Sequence, residues 1–98
     1  MTALWIAHVD VHDAEAYGKY AKAAGPAIAT HGGVFLARGG RYQQMEGKDR
    51  PRNVVARFPS FDDAVACYNS AEYQAALEFA KGASDRDLVI VEETPPSE

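Results

Sequence analysis

Four short apolar segments alternate with two longer amphipathic segments, and this alternation constrains the fold more than any other feature of the sequence. The apolar segments are rich in β-branched and aromatic residues and predict strands at 4–11, 34–38, 53–58 and 87–92. Alanines and tyrosines at three- and four-residue spacing predict one helix after the first strand and another after the third. The predicted order is β-α-β-β-α-β, the split βαβ or ferredoxin-like arrangement of the α+β class.

Polar residues mark where the predicted helices begin. Asp13 is a good N-cap for the first helix. The sequence Ser60 to Asp63 resembles a capping box for the second helix, and Ser70 can cap a fresh turn within it. Gly25 and Pro26 interrupt the pattern of the first helix, so we expect a kink there, followed by continuation.

The predicted sheet has no polar face. Right-handed crossovers place both helices on one face of a four-stranded antiparallel sheet. Leu4 and Ile6 on one side, and Trp5 and Ala7 on the other, are all apolar, so the second face must also be covered. A single domain at 1–94, followed by a mobile tail at 95–98, has nothing left to cover it. We therefore predict a homodimer in which two sheets pack face to face.

Charge and composition exclude several kinds of partner. A net charge of −4 and a pI near 5.3 argue against nucleic acid or an anionic membrane as the main partner. No apolar run approaches the ~20 residues that a transmembrane helix needs. A single cysteine, Cys67, cannot form an internal disulfide bond and is typical of a reducing compartment. These features predict a cytoplasmic protein.

Alternation in the third predicted strand separates its two faces. Val54, Ala56 and Phe58 form one apolar set, which we expect to face the helices. Val55 and Arg57 then face away from them.

The same alternation places Phe35 and Ala37 of the second strand under the helices and Arg38 on the far face. We expect a bulge at Gly39 and Gly40, after which the strand resumes over 41–45. His8 of the first strand also falls on the far face. His8, Arg38 and Arg57 should therefore share a cavity between the sheet and the dimer partner, and this cavity is the candidate site.

Each candidate residue has a functional and a structural interpretation. Arg38 could bind a carboxylate or enolate, or it could form a salt bridge across the dimer. His8 is the candidate catalytic acid or base, or a core histidine whose ring is satisfied by a backbone carbonyl or a tyrosine. Arg57, Tyr17 and Tyr68 complete the predicted ligand-binding set, the tyrosines being mostly core residues with hydroxyls that reach a polar end. The sequence predicts no metal site and no cofactor.

Several segments resemble one known family. DAEAYGKYAKA, GGVFLARGG, RNVVARFPSFDDA, YNSAEYQAA and DLVIVEE are similar to domain of unknown function family 1330, over about residues 5–93. The resemblance implies the dimeric α/β-barrel superfamily, which includes cofactor-independent monooxygenases, muconolactone isomerases, haem-dependent enzymes and ligand-binding stress proteins. Because the family itself has no assigned activity, the resemblance leaves the function open.

The predicted function is binding of a small anionic or aromatic metabolite in that cavity. Its enzymatic form would be cofactor-free isomerase, dehydratase or monooxygenase-like chemistry, with His8 moving a proton. No G-x-G-x-x-G, P-loop, nucleophile elbow or His-Glu-x-x-His motif occurs, which argues against most nucleotide-dependent and hydrolytic chemistry. The alternative is a non-catalytic dimeric module for ligand sensing or for structure.

Overall fold

Seven elements follow one another in the computed structural model, which describes residues 1–96. They are β1 (Ala3–Val11), α1 (Ala14–Thr30), β2 (Val34–Arg38), β3 (Arg52–Phe58), α2 (Phe61–Asn69), α3 (Ala71–Ala80) and β4 (Ser84–Glu92). The predicted order of strands and helices is confirmed, with the second predicted helix divided into α2 and α3. β4 begins three residues earlier than expected.

The predicted caps account for these helix boundaries. The Asp13 side chain accepts a hydrogen bond from the backbone N–H of Ala16, and Ser60 accepts one from Asp63. Ser70 has extended backbone angles (φ −68°, ψ 152°) and separates α2 from α3, while its hydroxyl accepts a hydrogen bond from the N–H of Tyr73. α1 runs through Pro26 as one helix.

The sheet is antiparallel with strand order β2-β3-β1-β4, so β1 and β3 are its central strands. On β1 the buried residues are Ala3, Trp5, Ala7 and Val9, and they pack with the helices into one core. Trp5 lies at its centre, with ring centroids 5.0 Å from Tyr73 and 5.6 Å from Phe58.

The other face of the sheet, here called the open face, is apolar and uncovered. Val34 is 62% exposed and Val89 is 53% exposed, while Leu36 and Val91 are also exposed. The open face thus has the apolar character that the sequence predicted for a surface covered by a partner.

The chain between β2 and β3 differs from prediction. Residues 41–45 do not form a strand, and the whole segment 39–51 has no regular structure. Its last part is fixed by Arg50, which pairs with Asp10 of β1 at 2.9 Å and with Asp87 of β4 at 3.0 Å. These ion pairs hold the end of the segment across one end of the open face.

Within residues 1–96, no helix combines the length and the apolar character that spanning a membrane requires. Pro95 and Pro96 of the predicted mobile tail are exposed and outside regular structure, and its remaining residues, 97–98, lie outside the described residues.

Candidate functional site

A β-bulge at Leu36 decides where Arg38 lies. Phe35 pairs with Ala56, but Ala37 pairs with Val55, so Leu36 is an extra residue in β2. The shift by one residue brings Arg38 opposite Val54, which faces the helices. The prediction that Arg38 lies on the far face, and Ala37 under the helices, was therefore wrong, and the bulge lies at Leu36 instead of at Gly39 and Gly40.

Three arginines from three strands converge on the helix-covered side of the sheet. Arg52 of β3 and Arg86 of β4 both pair with Val9, so they lie in one row across the sheet, on either side of β1. Arg38 of β2 lies in the neighbouring row, opposite Val54. This end of the sheet is covered by the first half of α1.

Each of these arginines lies over an aromatic ring. The guanidinium carbon is 4.1 Å from the Phe35 ring centroid for Arg38 and 4.6 Å from the Tyr20 ring for Arg86. Arg52 lies 5.6 Å from the centroid of Tyr17. For Arg52 and Arg86, which are half-buried, cation–π attraction offsets part of the cost of shielding the charge from water.

None of the three guanidiniums is paired with a carboxylate among residues 1–96. In the part of the chain that the structure describes, Arg38 donates one side-chain hydrogen bond, to the backbone oxygen of Ala21 at 3.2 Å. The Nε atoms of Arg52 and Arg86 are shielded from solvent and have no hydrogen-bond partner in the described part of the chain. Charged groups shielded from water are normally paired, so the guanidiniums of this cluster have donors available for an anion.

The three arginines and Tyr17 line a cavity between α1 and the sheet, here called the arginine cavity. Tyr20 and Trp5 add two more polar side chains, the rest of the lining is apolar, and the volume of about 20 Å³ has room for about one water-sized group. A larger ligand must displace a side chain at its edge. Arg38 lies at this edge, where it is exposed and is held by its hydrogen bond to Ala21 and its contact with the Phe35 ring.

Two tyrosine hydroxyls lie beside Arg86. The Tyr20 and Tyr73 oxygens are 2.7 Å apart, and Nη2 of Arg86 donates to Tyr20 at 2.8 Å and to Tyr73 at 3.2 Å. Burial raises the pKa of Tyr20 far above its ordinary value and also raises the pKa of Tyr73. Both phenols therefore remain protonated at neutral pH.

Gly39 makes room for Arg52. Its φ of +69° is a conformation that side chains rarely adopt, and a Cβ built there would lie 2.6 Å from Nη1 of Arg52. Gly39 thus allows the backbone after β2 to pass close to the Arg52 guanidinium.

Two other predicted site residues lie on the open face, away from the arginine cavity. His8 Nδ1 is 2.6 Å from Oδ1 of Asn53, and Arg57 Nε donates to Glu93 at 2.6 Å. The prediction that His8, Arg38 and Arg57 share one cavity was wrong, because the bulge moves Arg38 to the other side.

Of the two predicted tyrosines, Tyr17 lines the arginine cavity and Tyr68 does not. Tyr68 packs on Trp5 and borders a shallow groove between α2 and β4. No cluster of three or more potential metal ligands is found in the portion of the chain that the structure describes.

Sequence reasoning missed Arg52 and Arg86. Each comes two residues before an inward-facing apolar residue, Val54 or Leu88, so alternation extended one step towards the N-terminus places each of them under the helices. The same alternation had identified the apolar set of β3.

Solved structures share this fold at low sequence identity. A protein of unknown function from Rhodopseudomonas palustris is similar with a TM-score of 0.77 and 20% identity, over 97% of this chain and 84% of that one. A dimeric ferredoxin-like protein of unknown function from Bacteroides fragilis has a TM-score of 0.65 and 15% identity, over 94% and 96%. A cofactor-independent oxygenase from Streptomyces nogalater has a TM-score of 0.61 and 16% identity, over 97% of each chain.

No protein of curated function matches the sequence. At these identities the structural likenesses show the fold alone, which is ferredoxin-like. The model of the domain of unknown function family (DUF1330) matches residues 2–94, almost the whole chain. The chain therefore belongs to domain of unknown function family 1330, the family that its sequence motifs resemble.

Proposed function

We propose that this protein binds a small anionic metabolite, such as a carboxylate or an enolate, in the arginine cavity. The observation that carries the proposal is that Arg38, Arg52 and Arg86 converge on one cavity, while no carboxylate of residues 1–96 forms an ion pair with any of them. Three guanidiniums so placed repel one another, and a bound anion would relieve that repulsion. The arginine cavity replaces the sheet-to-sheet cavity that the sequence predicted.

The geometry supports binding more strongly than catalysis. Within residues 1–96, the lining of the arginine cavity includes no histidine and no carboxylate, and burial raises the pKa of Tyr20, one of its two tyrosines. The side chains that most often remove a proton at neutral pH are therefore not among the described lining residues. His8, the predicted acid or base, lies on the open face. Cofactor-free isomerase, dehydratase or monooxygenase-like chemistry is consequently limited to a substrate that is already ionised when it binds.

A cofactor-free oxygenase is the enzymatic form that the comparisons favour, because the similar protein from Streptomyces nogalater is a cofactor-independent oxygenase. In this chain such a reaction would begin from an enolate or phenolate held by the arginines. Oxygen uptake with an ionised phenol that has no second hydroxyl, such as 4-nitrophenolate at mildly alkaline pH, tests this form. Oxygen uptake that is lost in Arg52→Met would support the oxygenase activity. Uptake no faster than in the absence of protein would rule out this activity and leave only the binding function.

The protein also acts as a homodimer in this proposal. Exposed apolar side chains from the two edge strands, including Val34 and Leu36 of β2 and Val89 of β4, lie on one face of the sheet. Two neighbours with the same fold are described as dimeric. A second copy packed on the open face would shield this apolar surface and leave the arginine cavity on the outer, helix-covered side of each sheet.

Titration with acetate, followed by nuclear magnetic resonance at constant ionic strength, tests the binding function. We expect saturable shifts in residues lining the cavity, and affinity reduced about tenfold in Arg52→Met. Arg41→Met is the matched control, since Arg41 is exposed on the 39–51 segment and its loss changes the net charge equally. Absence of saturable binding, or equal losses in both variants, would contradict the proposal.

A further inference from the structure

We propose that the arginine cavity selects ligand groups that accept hydrogen bonds and carry no proton of their own, and that the Tyr20 hydroxyl is a donor to the ligand. This inference rests on the proposed anion-binding function and deepens it. The ligand class it names is the fully deprotonated anion, with an ionised carboxylate as the commonest example.

The first argument is the kind of polar group that lines the cavity. Six polar side chains do so: Trp5, Tyr17, Tyr20, Arg38, Arg52 and Arg86. Guanidinium and indole groups donate hydrogen bonds and cannot accept them, which leaves the two phenols as the only side-chain acceptors of this lining.

The second argument concerns the direction of the bond between the two hydroxyls. Each phenol carries one hydrogen, and the contact between Tyr20 and Tyr73 uses only one of the two. If Tyr20 donated, the Tyr73 hydrogen would need another acceptor, and Tyr73 has no other acceptor in reach within residues 1–96. Tyr73 is 0% exposed, so water cannot serve either. The lower-cost arrangement has Tyr73 donating to Tyr20.

The consequence is that the Tyr20 oxygen accepts twice, from Tyr73 at 2.7 Å and from Arg86 at 2.8 Å. Its lone pairs are then occupied, and its own hydrogen has no acceptor in the described residues. Tyr20 lines the arginine cavity whereas Tyr73 does not, so that hydrogen is available to a ligand there. Tyr20 thus joins the guanidiniums as a hydrogen-bond donor. Among the side chains that line the cavity within residues 1–96, Tyr17 is the one whose oxygen is still free to accept.

A ligand that brings its own O–H or N–H into such a site would leave that hydrogen without a partner unless it reached the Tyr17 oxygen. Leaving a buried donor unpaired costs as much as a lost hydrogen bond, and sites built in this way reject the mismatched analogue. Neutral acids, amides and partly protonated anions should therefore bind less well than fully deprotonated anions of the same shape.

Nitrate and bicarbonate provide a matched pair of probes. Both are planar anions of one negative charge and similar size, but bicarbonate carries an O–H and nitrate does not. At mildly alkaline pH and constant ionic strength, we expect nitrate to bind about tenfold more tightly than bicarbonate. Equal affinity, stronger bicarbonate binding, or failure to bind nitrate while acetate binds would overturn the inference.

Variants separate Tyr20 from the rest of the site. Tyr20→Phe should weaken nitrate binding about tenfold, whereas Tyr42→Phe, which removes a hydroxyl bonded to Asp49 on the exposed 39–51 segment, should not change it. Tyr17→Phe removes the remaining side-chain acceptor. This variant should therefore prefer nitrate over bicarbonate at least as strongly as the wild-type protein does. Circular dichroism of each variant checks that it is folded.

The outcomes also distinguish this inference from the proposed function. If the wild-type protein binds neither acetate nor nitrate, the proposed function fails. If it binds both, and Tyr20→Phe binds nitrate as tightly as the wild type does, the assignment of Tyr20 is wrong while anion binding stands.

Discussion

Arg52 and Arg86 flank the same residue, Val9, across the central strand of the sheet, so two positive charges lie side by side on its covered face. Neither is neutralised by a carboxylate within residues 1–96. The arrangement costs folding free energy in the absence of a ligand, as sites prepared for a charged ligand often do.

Replacing Arg52 should therefore stabilise the unliganded protein. Arg52 makes no side-chain hydrogen bond in the described residues, and its Nε is shielded from water. We expect Arg52→Met to raise the free energy of unfolding by about 1 kcal/mol in urea denaturation without added anions. Arg41→Met should change it by less than about 0.5 kcal/mol. A destabilised Arg52→Met protein would show that the guanidinium contributes to folding instead of binding.

A charge placed on the open face should disrupt the dimer. Val89 is 53% exposed there, and Val89→Lys would require burial of an ammonium group against the partner. Sedimentation velocity at micromolar concentration should show a monomer for this variant and a dimer for the wild type. Phe79→Lys is the control, since Phe79 is 45% exposed on α3, on the helix-covered side. A monomeric wild type would refute the dimer, and a dimeric Val89→Lys would show that the open face is not its interface.

The ion pair between Arg57 and Glu93 should make stability depend on pH. Hydrogen bonds from Arg57, and then from the Thr2 hydroxyl, hold the pKa of the Glu93 carboxyl below its ordinary value. Because the folded-state pKa is the lower one, the pair stabilises the fold above the unfolded-state pKa of about 4.3 and is lost as pH falls through the folded-state value.

We therefore expect Glu93→Gln to have a slightly lower Tm than the wild type at neutral pH, since an exposed pair contributes little. The difference should disappear in acid, below the folded-state pKa of Glu93. Thermal denaturation over this pH range measures it, with Glu92→Gln, at the neighbouring last residue of β4, as the control. A Tm difference that stays constant with pH would mean that the ion pair is not its cause.

Cys67 should be unreactive in the folded protein. Its side chain is fully buried, its thiol lies 3.7 Å from the backbone oxygen of Ala27, and burial raises its pKa to about 11. Thiolate is the reactive form, so modification by a disulfide reagent at neutral pH should be slower than in a denatured sample by about a hundredfold or more. Rapid modification without denaturant would indicate that α2 opens readily.

The sequence was sufficient for the fold because the polar residues that begin and separate elements are unambiguous. Asp13, Ser60 and Ser70 all cap the helices they were expected to cap. In β3 the alternation of apolar residues with Val55 and Arg57 identifies the two faces correctly.

The candidate site was harder to predict, because β2 carries no such signal. Val34, Phe35, Leu36 and Ala37 are all apolar, so either register satisfies the pattern and a bulge among them leaves no trace in composition. The pairing that selects one register comes from β3, which is distant in sequence. Alternation alone therefore placed Arg38 on the wrong face, although it could have found Arg52.

The bulge at Leu36 has a consequence for comparing members of the family. Removing that one residue would leave Ala37 opposite Val55 and Arg38 opposite Val54, whereas keeping it without the bulge would turn Arg38 towards the open face. Two relatives of equal length can thus carry an arginine in the same alignment column yet present it to opposite sides of the sheet. An alignment through β2 therefore matches equivalent side chains only among members that share the bulge. A relative that lacks one residue at this point can still place its arginine in the same cavity.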